Sequence, residues 1–303
     1  MKILILGTSS EDNGAEEYYQ KYADLFQDAA GRTDTEVGVY TAFLDDLIIS
    51  VGVSEWSIHD ARNDADLSEY TAVILRGTGF RQLFDVLRAI SSYGKRHSVE
   101  IINDYSTAYN SSKLAQAVYF AEQNLPVAQT VYVTSAVFRN AGRLPFQFPC
   151  IMKAVFGAHG SDNHVVHSLE EAQAIFEAQP ATRFVLQDFV PNEGDWRVLV
   201  IGNEVLVIGR KAVEGSHLNN TSKGGSATLI DHASLPAGVL DDARKAAKGL
   251  GMTIAGVDVI THKETGKYYF LEVNSQPQLM SGAFVEEKTK LLATLLQRIA
   301  AGN

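Results

Sequence analysis

From residue 1 to about 104, short apolar runs alternate with amphipathic stretches. Lys2 to Leu6 reads as a strand, Ala15 to Ala30 as a helix, Thr71 to Leu75 as a strand, Phe80 to Arg96 as a helix and Val99 to Ile102 as a strand. Helical periodicity between short β-prone runs predicts an open, largely parallel α/β sheet. Between 105 and 186 the pattern predicts a helix at Ser112 to Gln123, strands at Thr130 to Val133 and Cys150 to Ala154, and a helix at Leu169 to Gln179. Residues 187 to 303 read as antiparallel hairpins with two helices, Pro236 to Gly251 and Phe284 to Ala301. The pattern therefore divides the chain into an α/β stretch, 1–104, a helix-strand unit, 105–186, and a hairpin-rich stretch with two helices, 187–303.

Two hairpins place charge together. In AGVDVITHKETGKYYFLEVN a three-residue loop, Glu264 to Gly266, sets Asp258 opposite Glu272. Asn274 then shares their face, and Val257, Val259, Leu271 and Val273 take the other. Opposed carboxylates with Cβ atoms about 5 Å apart repel by roughly 3 kcal/mol at an effective dielectric near 20, so a half-buried pair needs a proton or a cation. Oxygen donors of this kind suit Mg²⁺, which shares its remaining positions with water and phosphate; the plain alternative is a solvated hairpin end. In DWRVLVIGNEVLVIGR a two-residue Gly202-Asn203 turn puts Asp195 opposite Arg210, with Arg197 on the same face. Two guanidiniums and a carboxylate there can orient an anion, or they form a surface ion pair worth about 0 to 1 kcal/mol.

Composition narrows the class. Among 303 residues, 26 Lys and Arg against 36 Asp and Glu leave a formal charge of −10, and no dense basic stripe is present. That argues against nucleic-acid binding by phosphate neutralisation. The single cysteine, Cys150, rules out an intramolecular disulfide framework and a thiolate metal site, and reads as a small buried apolar residue in a reducing compartment. No apolar run approaches the ~20 residues of a membrane span, and MKILILG is too short for a signal segment, so a cytoplasmic protein without a membrane partner is expected. Neither a dinucleotide fingerprint nor a GxxxxGK[ST] loop occurs.

The remaining polar candidates are loops and strand ends. Lys153 closes the strand Cys150 to Met152 ahead of the loop Phe156 to Ser161, as a phosphate clamp or a snorkelling edge lysine. Lys113 stands in the first turn of a helix capped by Asn110-Ser111-Ser112, where a cation opposes the helix dipole and an anionic ligand would justify it. Asn219 to Gly225 is a polar loop with adjacent glycines, and Arg76 at a strand end is either a substrate contact or a surface charge. His159, His164 and His167 lack the helical spacing of a zinc motif.

In this order the segments IINDYSTAYNSSKLAQ, LPVAQT, PCIMKAVFGAHGS, FVLQDFVP, GDWRVLVIG, GRKAVEGSHLNNTSKGG, GVDVI and FLEVNSQP make the chain resemble the ATP-grasp superfamily, and within it the RimK-like carboxylate-amine ligases. The resemblance covers about 100 to 282 most strongly. It implies an ATP-grasp fold, a small N-terminal α/β domain followed by two α+β lobes gripping ATP between antiparallel sheets. It assigns Lys113 and Lys153 to phosphate binding and Gly157, Gly160 and Ser161 to the glycine loop over the phosphates. Gln187, Asp188 and Phe189 match the segment that meets adenine, Asp195 the acidic position near the ribose, and Asn220 the asparagine of the loop before Gly-Gly. Arg197 and Arg210 match catalytic arginines near the transferred phosphoryl group, and Asp258, Glu272 and Asn274 the ligands of Mg²⁺ or Mn²⁺.

The implied activity is ATP-dependent joining of a carboxylate to an amine through an acyl phosphate, on a small molecule, a peptide or a protein C terminus. The rival readings are kinase-like phosphoryl transfer and a non-catalytic nucleotide-binding module; homo-oligomerisation stays open. Asp188, Leu218, Gln278 and Ala158-His159 depart from the family pattern, so the resemblance carries ATP binding further than it carries the acceptor.

Overall fold

The computed structural model describes residues 1–9, 11–53, 55–77, 83–106, 112–140, 147–156, 163–211 and 226–302. In the N-terminal unit the elements run β1 (Lys2–Gly7), α1 (Ala15–Ala30), β2 (Gly38–Phe43), β3 (Leu47–Val51), β4 (Trp56–Asp60), β5 (Ala65–Asp66), β6 (Ala72–Leu75), α2 (Phe84–His97) and β7 (Glu100–Ile102). The four strands of the main sheet are parallel in the order β2-β1-β6-β7, as the alternating pattern predicts. Ile3 to Leu6 are fully buried because both faces of β1 are covered. One face meets Tyr19, Tyr22, Phe26 and Ala30 of α1, which recur at helical spacing on one side.

Between 31 and 70 the hydrophobic pattern suggested no element, yet β2 joins the parallel sheet and β3, β4 and β5 form a small antiparallel sheet of their own. The outer strand β3 is mostly exposed, including Ile48 and Val51, so burial leaves little imprint on its sequence.

The middle unit comprises α3 (Lys113–Glu122), β8 (Thr130–Tyr132), α4 (Ser135–Asn140), β9 (Cys150–Ala154), β10 (Asn163–Val166), α5 (Leu169–Ala178) and β11 (Phe184–Asp188). Its antiparallel sheet, ordered β10-β9-β11-β8, encloses Cys150, Met152, Phe176, Phe184 and Leu186, and it runs through Asp188. Cys150 is fully buried and unpaired, its thiol pushed up to about 11 by burial. Helix α3 packs elsewhere. Its Tyr119 and Phe120 join the core of the last unit, and Gln116 exchanges hydrogen bonds with the Val273 backbone at 3.1 and 2.9 Å.

The last unit contains β12 (Asp195–Ile201), β13 (Glu204–Lys211), β14 (Ser226–Leu229), α6 (Val239–Gly249), β15 (Ile254–Thr261), β16 (Tyr268–Asn274) and α7 (Val285–Ala300). Its sheet is ordered β14-β13-β12-β15-β16. One face carries Val198, Val200, Val257, Val259 and Phe270 under α6 and α3. The opposite face changes character along its length. Leu199, Ile201 and Ile254 are apolar and lie under α7 and α1, whereas further along the same strands the face reads Asp195, Arg197 and Asp258.

Asn103, 2% exposed, ties the units together. Its amide donates to the carbonyls of Ile254 at 2.9 Å and Ser275 at 3.0 Å and accepts the Ile254 N–H at 2.8 Å, from a backbone φ of 62°. Asn tolerates that left-handed conformation and Ala does not. Asn103→Ala is therefore expected to lower unfolding free energy by about 2 to 4 kcal/mol in chemical denaturation, through three orphaned backbone groups and the strained φ.

Candidate active site on the charged face of the last sheet

The β12–β13 hairpin has the register that its two-residue turn predicts, with Asp195 opposite Arg210 and Gly202 at φ 62° in the turn. Arg197 in turn lies opposite Asp258, and Asp258 opposite Glu272. The second hairpin reaches that pairing by a different route. His262 N–H bonds Lys267 O at 2.8 Å, so four residues, 263–266, connect the strands where three were expected, and Val259 faces Phe270. A β-bulge between Asp258 and Val259 absorbs the offset before the site is reached. In consequence Phe270, and not Leu271, takes the buried apolar face; Leu271 packs beside Ile260 and Tyr269.

Asp258 is 7% exposed and fully engaged. Arg197 donates through Nε to Oδ1 and through Nη2 to Oδ2 at 2.9 Å, Arg210 Nη2 lies 3.0 Å from Oδ1, and Asn274 Nδ2 donates to Oδ2 at 3.2 Å. Arg210 also donates through Nε to Asp195 Oδ1 at 2.6 Å. Burial pushes the Asp195 carboxyl up to about 6, against the pull of Arg210 and with the help of the Asp258 charge. Burial disfavours the Arg210 cation, but Asp258 and Asp195 more than offset that and hold it firmly protonated. The repulsion expected between Asp258 and Glu272 is thus met on the Asp258 side by guanidiniums.

Glu272 is more open, with Lys113 Nζ 3.8 Å from its Oε2. Lys113 reaches it because Ser112 caps α3, accepting the Ala115 N–H at 3.1 Å, and because Gln116 one turn later pins the helix to β16. Lys153 donates to Gln187 Oε1 at 2.7 Å, and Gln187 donates onward to Thr130 Oγ1 at 3.0 Å. Desolvation brings Lys153 down to about 8; Glu272 and Asp258 pull it up and Lys113 pushes it down. Both lysines therefore face the acidic row.

Asp188 pairs with Cys150 in the sheet and Phe189 follows half-buried, next to Gln187 but on the stretch leading into the last unit. Gly157, Gly160, Ser161 and Asn220 lie outside the described residues, as does His159. Arg76 is 5% exposed, which excludes the surface-charge alternative.

Gly256 and Gln116 were not singled out from sequence. A Cβ on Gly256 would fall 2.7 Å from Arg197 Cδ and 2.9 Å from its Nη1, so only glycine lets that guanidinium lie across β15 to Asp258. The available signal is the GVD triplet, which puts Gly256 two residues before Asp258 on the same face.

Donors and acceptors converging from α3, β9, β12, β13, β15 and β16 are a site built between two antiparallel sheets. A family profile described as the RimK-like ATP-grasp domain matches residues 111–299. The chain belongs to the RimK-like ATP-grasp family. The tetrahydromethanopterin:α-L-glutamate ligase of Methanosarcina acetivorans is 31% identical over 255 residues, covering 74% of this chain and 75% of that protein. A probable α-L-glutamate ligase of Sodalis glossinidius is 34% identical over 136 residues, 43% of this chain and 44% of that one. The ATP-grasp ligase PsnB, solved with a minimal precursor, Mg and ADP, superposes with a TM-score of 0.67 at 19% identity over 98% of both chains. The macrocyclase MdnC, bound to precursor peptide MdnA from Microcystis aeruginosa MRC, superposes with a TM-score of 0.63 at 15% identity, over 98% of this chain and 100% of that one. The fold is thus the ATP-grasp fold, and no helix among its described residues is long and apolar enough to cross a membrane.

Gly256→Ala is expected to displace Arg197 from Asp258 and cut ATP-dependent turnover by at least about ten-fold, about 1.4 kcal/mol of barrier. Circular dichroism should show a folded protein; unchanged turnover in a folded variant would mean that the Arg197 placement is not needed.

Proposed function

We propose that this ATP-dependent carboxylate-amine ligase activates a substrate carboxylate as an acyl phosphate and joins it to the amine of an amino acid, L-glutamate first among the candidates. The observation that carries the reading is the shared carboxylate of Asp258, flanked by Arg197 and Arg210 and facing Glu272 and two lysines. The names of the relatives favour glutamate as the amine, and the precursor complexes of PsnB and MdnC keep peptides in view as the carboxylate.

In this reading Lys113 and Lys153 offset the negative charge of the ATP phosphates, and Gln187, Asp188 and Phe189 border the base. Glu272 makes no hydrogen bond among the described residues, and the Asn274 amide, turned with Nδ2 to Asp258, leaves its carbonyl oxygen as a further hard donor. These two donors fit Mg²⁺ or Mn²⁺, and Asp258, whose lone-pair sites are taken by Arg197, Arg210 and Asn274, would join them only if one of those donors gave way. An ion there would be held by one or two carboxylates together with phosphate, the usual arrangement for Mg²⁺. Such an ion, when bound, neutralises charge on the phosphates. Arg210, kept cationic by its two carboxylates, stabilises negative charge on the transferred phosphoryl group and on the tetrahedral oxyanion, and Arg197 holds Asp258 in place for it.

Purified protein given ATP, Mg²⁺, candidate carboxylates and L-glutamate should yield ADP and an amide product by mass spectrometry. Glu272→Ala should abolish both, and an unchanged Glu272→Ala rate would sink the assignment. Lys153 supplies a pH test. Its cation persists below about 8 and is lost above it, so ATP affinity should fall as pH rises through about 8 to 9. Lys153→Arg, which stays charged, should flatten that profile in titration calorimetry.

A further inference from the structure

Arg76 follows β6 at the carboxyl end of the parallel sheet. Strands on the two sides of the β1–β6 pair lead away in opposite directions, β2 beyond β1 and β7 beyond β6, so the crevice above that pair is the topological switch point where open α/β sheets bind ligands. The Arg76 guanidinium lies there between α1 and the turn that follows Asn274. Its Nε and Nη2 donate to the Tyr18 hydroxyl at 3.0 and 2.8 Å, Nη2 also donates to Pro277 O at 3.2 Å, and the Tyr22 ring centre is 4.7 Å from Cζ.

This cation is the reverse of Arg197 and Arg210. Tyrosines dominate its surroundings, and among the described residues no carboxylate pairs with it and its buried Nη1 has no hydrogen-bond partner. A buried guanidinium without an anion is costly, and a planar fork with one arm unused matches a carboxylate oxygen. The turn is held against the strand end as well: Gln276 Nε2 donates to Gly77 O, and Asn103 to Ser275 O at 3.0 Å. Pro277 is three residues beyond Asn274, so the backbone separates them by at most roughly 11 Å.

We infer that Arg76 anchors a carboxylate subsite on the N-terminal side of the cleft, its Nη1 receiving the free carboxylate of the amine-bearing substrate, an α-amino acid or a short peptide, with that substrate's amine on the Asn274 side. The inference deepens the ligase reading and rests on it.

The test is titration calorimetry on the full chain with a non-hydrolysable ATP analogue and Mg²⁺ present. L-Glutamate, its α-amide isoglutamine and the dipeptide alanyl-glutamate serve as probes, and the last separates a peptide terminus from a free amino acid. Wild type should bind glutamate or alanyl-glutamate and discriminate against the amide. Arg76→Met should lose about ten- to hundred-fold in affinity for the acid. The acid-to-amide preference should collapse in that variant, while affinity for the nucleotide analogue stays within about two-fold. Should Arg76→Met fail to fold, Tyr18→Phe, which keeps the ring and removes the hydroxyl under Nε and Nη2, should weaken the acid several-fold and leave the amide unchanged. Wild type that binds the nucleotide but neither acid overturns the subsite and leaves the ligase reading standing, whereas absence of nucleotide binding strikes that reading itself. Retained acid preference in a folded Arg76→Met, or in Tyr18→Phe where only that variant folds, also overturns the subsite. So does equal loss of nucleotide and acid.

Discussion

The Asp258 carboxylate is the constraint around which the site is organised. A carboxylate this buried is tolerable only if its charge is met locally, and here two guanidiniums and an amide meet it from three different strands. Each partner is itself conditioned by Asp258: Arg197 lies flat because Gly256 has no side chain, Arg210 is kept cationic by Asp258 and Asp195 together, and Asn274 is oriented by its donation to Oδ2. Removing the carboxylate would leave two half-buried cations with Asp195 alone between them, so the cluster stands or falls as a unit.

That unit sits where one sheet face turns from apolar to charged. The β12 and β15 residues nearest the hairpin turn pack under α7 and α1, and the same alternation carried along the strands delivers Asp195, Arg197 and Asp258 to the open end. The hydrophobic half fixes register, because a one-residue slip would bury the charges and expose the valines. Core packing thus enforces the geometry of the charged cluster at a distance, and α3, pinned to the sheet edge through Gln116, brings a lysine to the same end.

How much of this is legible in the chain depends on whether local rules act alone. The register of β12 with β13 follows from a two-residue turn, so Asp195 opposite Arg210 is readable directly. The Asp258–Glu272 pairing is readable too, but by compensation. The turn contains one residue more than its sequence suggests and a bulge removes the difference, which is why Phe270 and Leu271 exchange faces while the carboxylates stay opposed. Contacts between distant segments leave no local trace. Nothing near Asn103 announces that it will bond Ile254 and Ser275, and nothing near Gln116 announces Val273. The small sheet of β3 to β5 is equally silent, since its outer strand half-buries only Leu47 and Ile49 and the apolar run Leu47 to Ile49 is not broken by polar positions at that period.

The cations also divide by what answers them. Arg197 and Arg210 are matched inside the protein by Asp258 and Asp195, and Lys113 leans on Glu272. Matched cations keep a fixed place and add field at a reacting group without needing a ligand to hold them there. Among the described residues Arg76 is answered by hydroxyl, carbonyl and ring faces, which stabilise a cation less than a carboxylate does. An arrangement with matched cations at one end of a cleft and an unmatched one at the other has a direction. Through the short turn from Asn274 to Pro277 the two ends are held by one stretch of backbone, so whatever fixes that turn to the strand ends also fixes the distance between them.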